Sequence, residues 1–413
     1  MSKLMEGIKV LDVSQVAAVP LAARILADRG ADVIHVENPK LGDQFRSLLT
    51  FMSEKSGIRS EINYLWEHYN RNKKGITLDL SQEAGQAVVH RIVGSMDVFL
   101  TNLRPFELER FRMEYETLNR LNPRLVAGFL TGFGKEGPDK DMPAYDHVAY
   151  WARSGVPHRL RSLSPVLQEE DVVPPAFMPA FGDHTAGMSL ACGVMMALFA
   201  RERTGKGDEV NVSLFHSGAY QISFDLSGTL VTGRDCPVMD SYDDSPNPLY
   251  GQYLTKDGRW VLFSVLRPDR YWPKFCRAVG REDLEEDPRF HPFDRMIANR
   301  VELRAIIQEI FRGKTLAEWR PILDSAQLPW SPVQTLPEVV NDRQARPNGF
   351  FVGYEHPEYG PMEGVTDPIK VRGHPESVRM PAPEFSQHTE EILLEYGYSW
   401  EDITQLKEQG VIF

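Results

Sequence analysis

The stretch IKVLDVSQVAAVPLAARILADRGADVIHVE, Ile8 to Glu37, sets two β-branched runs on either side of an apolar helical pattern. IKVLDV (Ile8–Val13) predicts a first strand, PLAARILADRG a helix closed by Gly30, and DVIHVE (Asp32–Glu37) a second strand. Strand, helix and strand in such quick succession make a βαβ unit, which lays its strands parallel. The alternation continues through GITLDL (Gly75–Leu80), a helix over Glu83–Val93, DVFLTN (Asp97–Asn102), helical turns over Glu107–Leu121, RLVAGFL (Arg124–Leu130) and, further on, GKGDEVNVSL (Gly205–Leu214). The fold class that follows is α/β: a doubly wound, Rossmann-like parallel sheet, whose ligands belong beyond the carboxyl ends of the strands.

Glu37, at the end of the second strand, suits the acid that holds a ribose hydroxyl in dinucleotide folds. The glycines of that fingerprint are missing. SQVAAVP stands where G-x-G-x-x-G belongs, and its side chains block backbone approach to a pyrophosphate, which argues against nicotinamide or flavin binding. Eleven histidines are scattered without metal-ligand spacing, so no metal site is expected.

A chain of 413 residues exceeds one ordinary core. The large α/β domain is expected over residues 1–235, up to a turn-rich linker, GRDCPVMDSYDDSPNP. A smaller α+β domain is expected over 236–335. It opens with the hairpin YGQYLTKDGRWVLFSV, whose Asp257-Gly258 suits a type I′ turn, and continues in helices near Pro268–Val279, Ala298–Phe311 and Thr315–Asp324. The tail, 336–413, reads as strands in FFVGYEHPEYG and DPIKVRG and an amphipathic helix, HTEEILLEYGY, opened by Thr389; it is expected to return to the large domain.

Hydrophobic residues at 42% and charged residues at 25% are ordinary for a globular protein. A net charge of −12 argues against a nucleic-acid or anionic-membrane surface, which needs a basic face. Cys192, Cys236 and Cys276 form no C-x-x-C pair and are odd in number, which fits a reducing cytoplasm. MSKLMEGIKVLDV does not read as a signal peptide, and the apolar run Ala186–Ala200 is shorter than the roughly 20 residues needed to cross a bilayer.

Chemistry concentrates in PAFGDHTAGM, Pro179 to Met188. Asp183 sits where a polar loop gives way to SLACGVMMALFA, a run without charge until Arg201. An aspartate there is either an N-cap, accepting from the orphan amides of the first turn, or a reactive carboxylate. Basic and amide groups fall near the expected strand ends: NRNKKG (Asn70–Gly75), TNLRP (Thr101–Pro105), Arg110, and Lys135 with Lys140. Such groups suit a phosphorylated ligand, although singly each reads as a solvated surface charge.

The ordered blocks VLDVSQVAAVPLAARILADRGADVIHVE, NRNKKGITLDL, TNLRPFELERF, NPRLVAGFLTGFGKEGP, AYDHVAYWARSG and PAFGDHTAGMSLACGVMMALFARERTGKGDEVNVSL resemble the family III CoA-transferases, and the resemblance runs over the whole chain. It implies an interlocked homodimer and an acyl-CoA:carboxylate CoA-transferase that binds no cofactor tightly and takes coenzyme A and acyl-CoA as substrates, with a free carboxylic acid as acceptor. It implies that Asp183 is the nucleophile, forming aspartyl mixed-anhydride and aspartyl-CoA thioester intermediates. The helix end behind it would hold the carboxylate ionised and dry. CoA would lie along Val16, Ala17 and Ala18, the basic turn Arg71, Asn72, Lys73 and Lys74, then Asn102, Leu103, Arg104, Arg110 and Lys135. The family often carries glutamine at the position of Ala17, and this chain does not. Tyr145, Asp146, Tyr150, Gly182 and His184 would line the acyl pocket.

Two other readings follow from the same blocks. Racemases of the family place a histidine immediately before the acid matching Asp146; here Tyr145 stands there, and a side chain with an ordinary pKa of about 10 is a poor proton shuttle at neutral pH. A CoA-binding protein that has lost catalysis is the non-enzymatic alternative. No glycine-rich lid precedes NPLYGQYL, which argues against oxalate, and EGPDKDMPAYDHVAYWARSGV looks most like members acting on 2-hydroxy or aryl acids.

Overall fold

The structure, a computed structural model, describes residues 3–48, 60–160, 178–236 and 245–413. The chain divides into two compact units.

The larger unit is built from Met1–Val156, Ala176–Thr232 and Gln344–Phe413. Its sheet holds β1 (Lys9–Val13), β2 (Asp32–Glu37), β3 (Lys73–Thr77), β4 (Val98–Thr101), β5 (Val126–Thr131) and β6 (Glu209–Ser213), all parallel, in the order 3-2-1-4-5-6. That order reverses direction between β1 and β4, the switch point where doubly wound sheets leave a crevice for ligands. The helices between them are α1 (Ala18–Asp28), α2 (Tyr64–Asn70), α3 (Glu83–Val93), α4 (Pro105–Phe111), α5 (Tyr115–Leu121) and the long α6 (Phe181–Thr204). After β6 come α7 (Leu214–Gln221) and α8 (Ser223–Thr232).

β3 begins two residues before the expected GITLDL and ends sooner. Val33 pairs with Lys73 at one end, and at the other the Asp79 amide turns away to Val411 O. α2 escaped prediction, because a helix of seven residues shows too little periodicity to register.

The smaller unit, mainly Gly233–Arg343, wraps helices around a three-stranded sheet of β7 (Tyr250–Leu254), β8 (Trp260–Ser264) and β9 (Trp330–Pro332). The main helices are α9 (Pro268–Val279), α10 (Arg300–Arg312) and α11 (Leu316–Ser325), which fall where the sequence places them. Its core stacks Tyr253, Phe263, Phe275, Phe311 and Trp319. The β7–β8 turn is not type I′. Gly258 is left-handed (φ 72°) while Asp257 is not, and the loop is closed by the Thr255 hydroxyl on Arg259.

The tail is woven into the larger unit. β10 (Phe351–His356) and β11 (Gly360–Val365) form a hairpin, and α12 (Thr389–Glu395) and α13 (Trp400–Glu408) put Ile392, Leu393, Ile403 and Leu406 into the core with Leu11, Ile76 and Phe99. DPIKVRG is not a strand; it carries an isolated bridge from Val371 to His374, because the second strand of the hairpin is spent earlier, at Gly360–Val365.

Candidate active site

The candidate site is assembled around the carboxyl end of β1. After β1 the chain passes Gln15, whose carbonyl accepts the Asn102 side-chain amide at 2.8 Å and whose own amide donates to Asn102 Oδ1 at 3.2 Å. This reciprocal pair ties the loop after β1 to the loop after β4 across the switch point. Val16 follows with φ 72°, its amide donating to Asp43 Oδ2 at 3.0 Å, and α1 starts at Ala18 with Ala17 as an N-cap lacking any side-chain bond.

α1 runs against α6 with almost nothing between them. A Cβ at Gly187 would fall 2.4 Å from Ala18 O, so only glycine permits this approach. One helical turn earlier on the same face of α6 stands Asp183. Gly182 is equally constrained, because a Cβ there would fall 2.2 Å from both Asp146 Oδ1 and Tyr150 Cγ. Asp146 ends the loop that enters a π-helical turn, His147–Ala152, a rare geometry that recurs at functional sites. Its Oδ1 accepts the Gly182 amide at 3.1 Å, and Tyr150, Trp151 and Phe181 pack ring against ring beside it.

Asp183 is therefore not an N-cap. The cap is Ala180, left-handed at φ 60° and without a side-chain bond, and Asp183 is the third residue of the helix. The expectation that the helix amides hold its carboxylate ionised is overturned: the Gly182 amide goes to Asp146, and the His184 amide goes to Ala180 O. Burial, and then the negative charge of Asp146, push the Asp183 carboxyl up to about 7. At neutral pH it is poised between acid and carboxylate.

Beside it His184 Nε2 meets the hydroxyl of Tyr69 at 2.9 Å, and the His68 ring lies 5.5 Å from the His184 ring. Burial and the Arg24 cation lower His184, so it is neutral at pH 7; burial first, then Asp183, keep the Tyr69 phenol protonated. Tyr145 is exposed, with its hydroxyl 3.3 Å from the Gln44 amide group.

Contacts thus join Asn102 to Gln15 just before Ala17 and Ala18, Ala18 to Gly187, and Gly182 to Asp146 and Tyr150, with Asp183 and His184 on the same first turns of α6. The basic turn is not part of this neighbourhood. Arg71 is clamped on Asp28 at 2.8 Å and on Val365 O at 2.8 Å, Asn72 binds Asp28 at 2.6 Å, and Lys73 binds Asp12 at 2.8 Å, all three with 1% exposure or less. Their charges and amides hold β3, α1 and the tail together, so the expectation that they meet CoA is corrected. Lys74 is half-buried and paired with Glu391 at 2.8 Å. Leu103 packs on the core, and Arg104 is held by Glu107 at 3.1 Å. Lys135 is exposed but grips both oxygens of Glu209, at 2.6 and 2.8 Å. Arg110 is exposed, with its guanidinium 5.7 Å from the Phe111 ring.

Sequence reading missed Asp43, Tyr69 and His68. Polar residues bounded by the second strand and the basic turn carry no periodicity; Tyr69 and His68 meet His184 only where α6 returns to them, and Asp43 meets Val16 only where the loop after β2 folds back on the start of α1.

The chain matches the family described as CoA-transferase family III over residues 5–389. It is 34% identical to the (R)-2-hydroxy-4-methylpentanoate CoA-transferase of Clostridioides difficile, over 99% of each chain. It is likewise 34% identical to the cinnamoyl-CoA:phenyllactate CoA-transferase of Clostridium sporogenes, over 98% of this chain and 97% of that one. The crystal structure of a CAIB/BAIF family protein from Brucella suis covers 96% of this chain and 100% of its own, with a TM-score of 0.79 at 26% identity. With a doubly wound sheet and a matching sequence along nearly its full length, this chain belongs to CoA-transferase family III.

Proposed function

We propose that the protein moves CoA from an acyl-CoA thioester to a free 2-hydroxy or aryl carboxylic acid, with Asp183 as nucleophile. The substrate class is supported by the relatives that share 34% of its residues end to end. The residue is supported by one observation: a half-buried carboxylate beside the switch-point crevice, raised to about 7 and offered no amide by its own helix end.

An oxygen of ionised Asp183 attacks the thioester carbonyl; the C–S bond breaks, giving an aspartyl mixed anhydride and CoA thiolate. The thiolate attacks the Asp183 carbonyl of the anhydride, releasing the donor acid and leaving an aspartyl-CoA thioester. The acceptor carboxylate attacks that carbonyl and expels the thiolate again. The thiolate then attacks the acceptor's acyl carbon, forming the new thioester and returning Asp183. A carboxylate raised by burial is a better nucleophile than a solvated one, and the dry surroundings protect the anhydride from water.

Acyl-CoA plus hydroxylamine should convert Asp183 into a hydroxamate detectable by peptide mass spectrometry. Full turnover by Asp183→Ala, with no adduct on the wild type, would defeat the assignment. A panel of acyl-CoAs and free acids then fixes donor and acceptor.

We also propose a homodimer. α8 has no buried residue, and Phe224, Leu230 and Val231 on it are 92%, 85% and 87% exposed. The outer face of α6 likewise shows Met196 and Phe199, each 67% exposed. Apolar faces this extensive mark an interface, and among the described residues no helix is long and apolar enough to cross a membrane. A second copy is the occupant we assign. Light scattering should report a dimer, and a wild-type monomer would refute it. With no disulfide among the described residues, a reducing cytoplasm is the compartment we assign.

A further inference from the structure

Val16 is a β-branched residue in the left-handed region, φ 72°, where its Cβ crowds the backbone. Such conformations persist only where the surroundings over-determine them. Here they do so from two sides. On one side the Val16 amide donates to Asp43 Oδ2 at 3.0 Å, while Asp43 Oδ1 accepts the Phe45 amide at 2.7 Å and the Asp43 amide donates to Glu37 Oε2 at 3.0 Å. Asp43 is 3% exposed. Its Oδ2 stands 3.9 Å from His35 Nε2, and His35 Nδ1 lies 2.9 Å from Asp12, which holds Lys73. Lys73 returns to α1 by donating to Pro20 O at 2.9 Å. On the other side Ala18 O is pressed against the bare backbone of Gly187, one turn from Asp183.

We propose that Asp43 is a positioning residue for CoA transfer: it holds Val16 in its strained conformation and thereby sets how closely Ala17 and Ala18 approach Asp183. The inference rests on Asp183 as nucleophile, not on the identity of the acids. The buried chain from Lys73 through Asp12 and His35 backs the Asp43 carboxylate, and Gly187 fixes the distance on the far side. Without the Asp43 acceptor, Val16 relaxes to a negative φ and the start of α1 swings relative to α6.

The test is a pair of variants, Asp43→Ala and Asp43→Ala with Val16→Gly, assayed with whichever acyl-CoA and acid the wild type turns over fastest. A wrong substrate assignment then leaves the test intact. Alanine is used because asparagine would keep an oxygen able to accept the Val16 amide. A small misplacement of reacting groups costs up to about 100-fold in rate, so Asp43→Ala should lower kcat by about 10- to 100-fold while moving KM much less. Glycine adopts the left-handed conformation without strain, so Val16→Gly should restore kcat by about 5-fold or more in the Asp43→Ala background. A purely structural Asp43 gives the opposite result: glycine loosens the unfolded chain further, the melting temperature falls, and kcat does not recover. Wild-type kcat in Asp43→Ala, or a double variant no faster than the single, overturns the proposal. Where Ala lowers the melting temperature into the assay range, Asp43→Glu, which keeps the buried charge but shifts its oxygens, replaces it in both variants.

Discussion

Asp12 and Asp183 are two carboxylates of the same unit, both taken out of water, and their neighbours send them in opposite directions. Burial alone would raise Asp12, but Lys73 at 2.8 Å and His35 at 2.9 Å drive its carboxyl far below the usual range. Asp183 has burial and a second carboxylate, Asp146, and no cation paired with it among the described residues; it rises to about 7. The comparison separates two uses of a buried charge. A fully paired carboxylate is locked and contributes to the fold, whereas one left unpaired keeps its free energy available for bond making.

The comparison breaks most visibly on removing each acid's function in turn. Asp183→Ala should reduce CoA transfer by about 1,000-fold or more, on the scale of losing a covalent nucleophile, while the melting temperature stays at or above that of the wild type. Steady-state kinetics and calorimetry on one preparation check both halves. A loss of activity that tracks unfolding would place Asp183 with Asp12 as a structural acid.

Lys73→Met is the converse. It leaves Asp12 in the interior with the His35 ring and the Ser14 hydroxyl but without its ammonium partner, and breaking a buried pair in this way costs about 3–5 kcal/mol. The urea midpoint should fall accordingly. Neutralising both ends, Asp12→Asn with Lys73→Met, should recover much of that loss, because the penalty lies in the unpaired charge and not in the missing attraction. A double variant as unstable as the single would mean that packing, not charge, decides the site.

The same comparison explains what the sequence could and could not disclose. The β1–α1–β2 unit is written in local periodicity, as is α3, whose ends, Glu83 and Val93, coincide with the expected ones. Asp183 is marked by the abrupt change from polar loop to apolar helix. Its ionisation is not marked, because the neighbour that raises it lies 37 residues earlier in the chain and reaches it only through the π-helical turn. NRNKKG misled for a similar reason. Lys and Arg are exposed by default, and what buries Arg71 and Lys73 is pairing with Asp28 and Asp12, separated from them by 43 and 61 residues. The Tyr69–His184 pair spans 115 residues. Local patterns give elements; electrostatic character needs the partners that the topology delivers.

Asp146→Asn sharpens the contrast by removing the like charge and leaving the burial. The ionised form of Asp183 is the nucleophile, so wild-type kcat/KM should rise with pH through about 7 and level off above it. With Asn at 146, ionisation becomes easier and the rising limb should move to lower pH. Asn retains an oxygen for the Gly182 amide, so the helix start is kept. A limb that does not move would show that burial alone sets Asp183.

The smallest effect concerns stability, and its sign follows from linkage. The folded-state carboxyl of Asp183 lies near 7, above the roughly 3.9 of an unfolded chain. Below about pH 4 both states are protonated and the group contributes nothing. As pH rises from 4 to 7 the unfolded chain ionises while the folded one resists, so the residue costs increasing stability, and the cost is constant above 7. Asn carries no such cost. Asp183→Asn should therefore melt with the wild type at pH 4 and above it at pH 8. The full shift is worth at most about 4 kcal/mol by the conversion of one unit to 1.36 kcal/mol; with the carboxylate only half-buried and partly screened, about 1–2 kcal/mol is the expected gain. Asp12→Asn must show the reverse sign, losing stability at neutral pH and converging on the wild type only in strong acid. If both substitutions moved the melting temperature in the same direction at pH 8, the division between a locked and an available carboxylate would not hold.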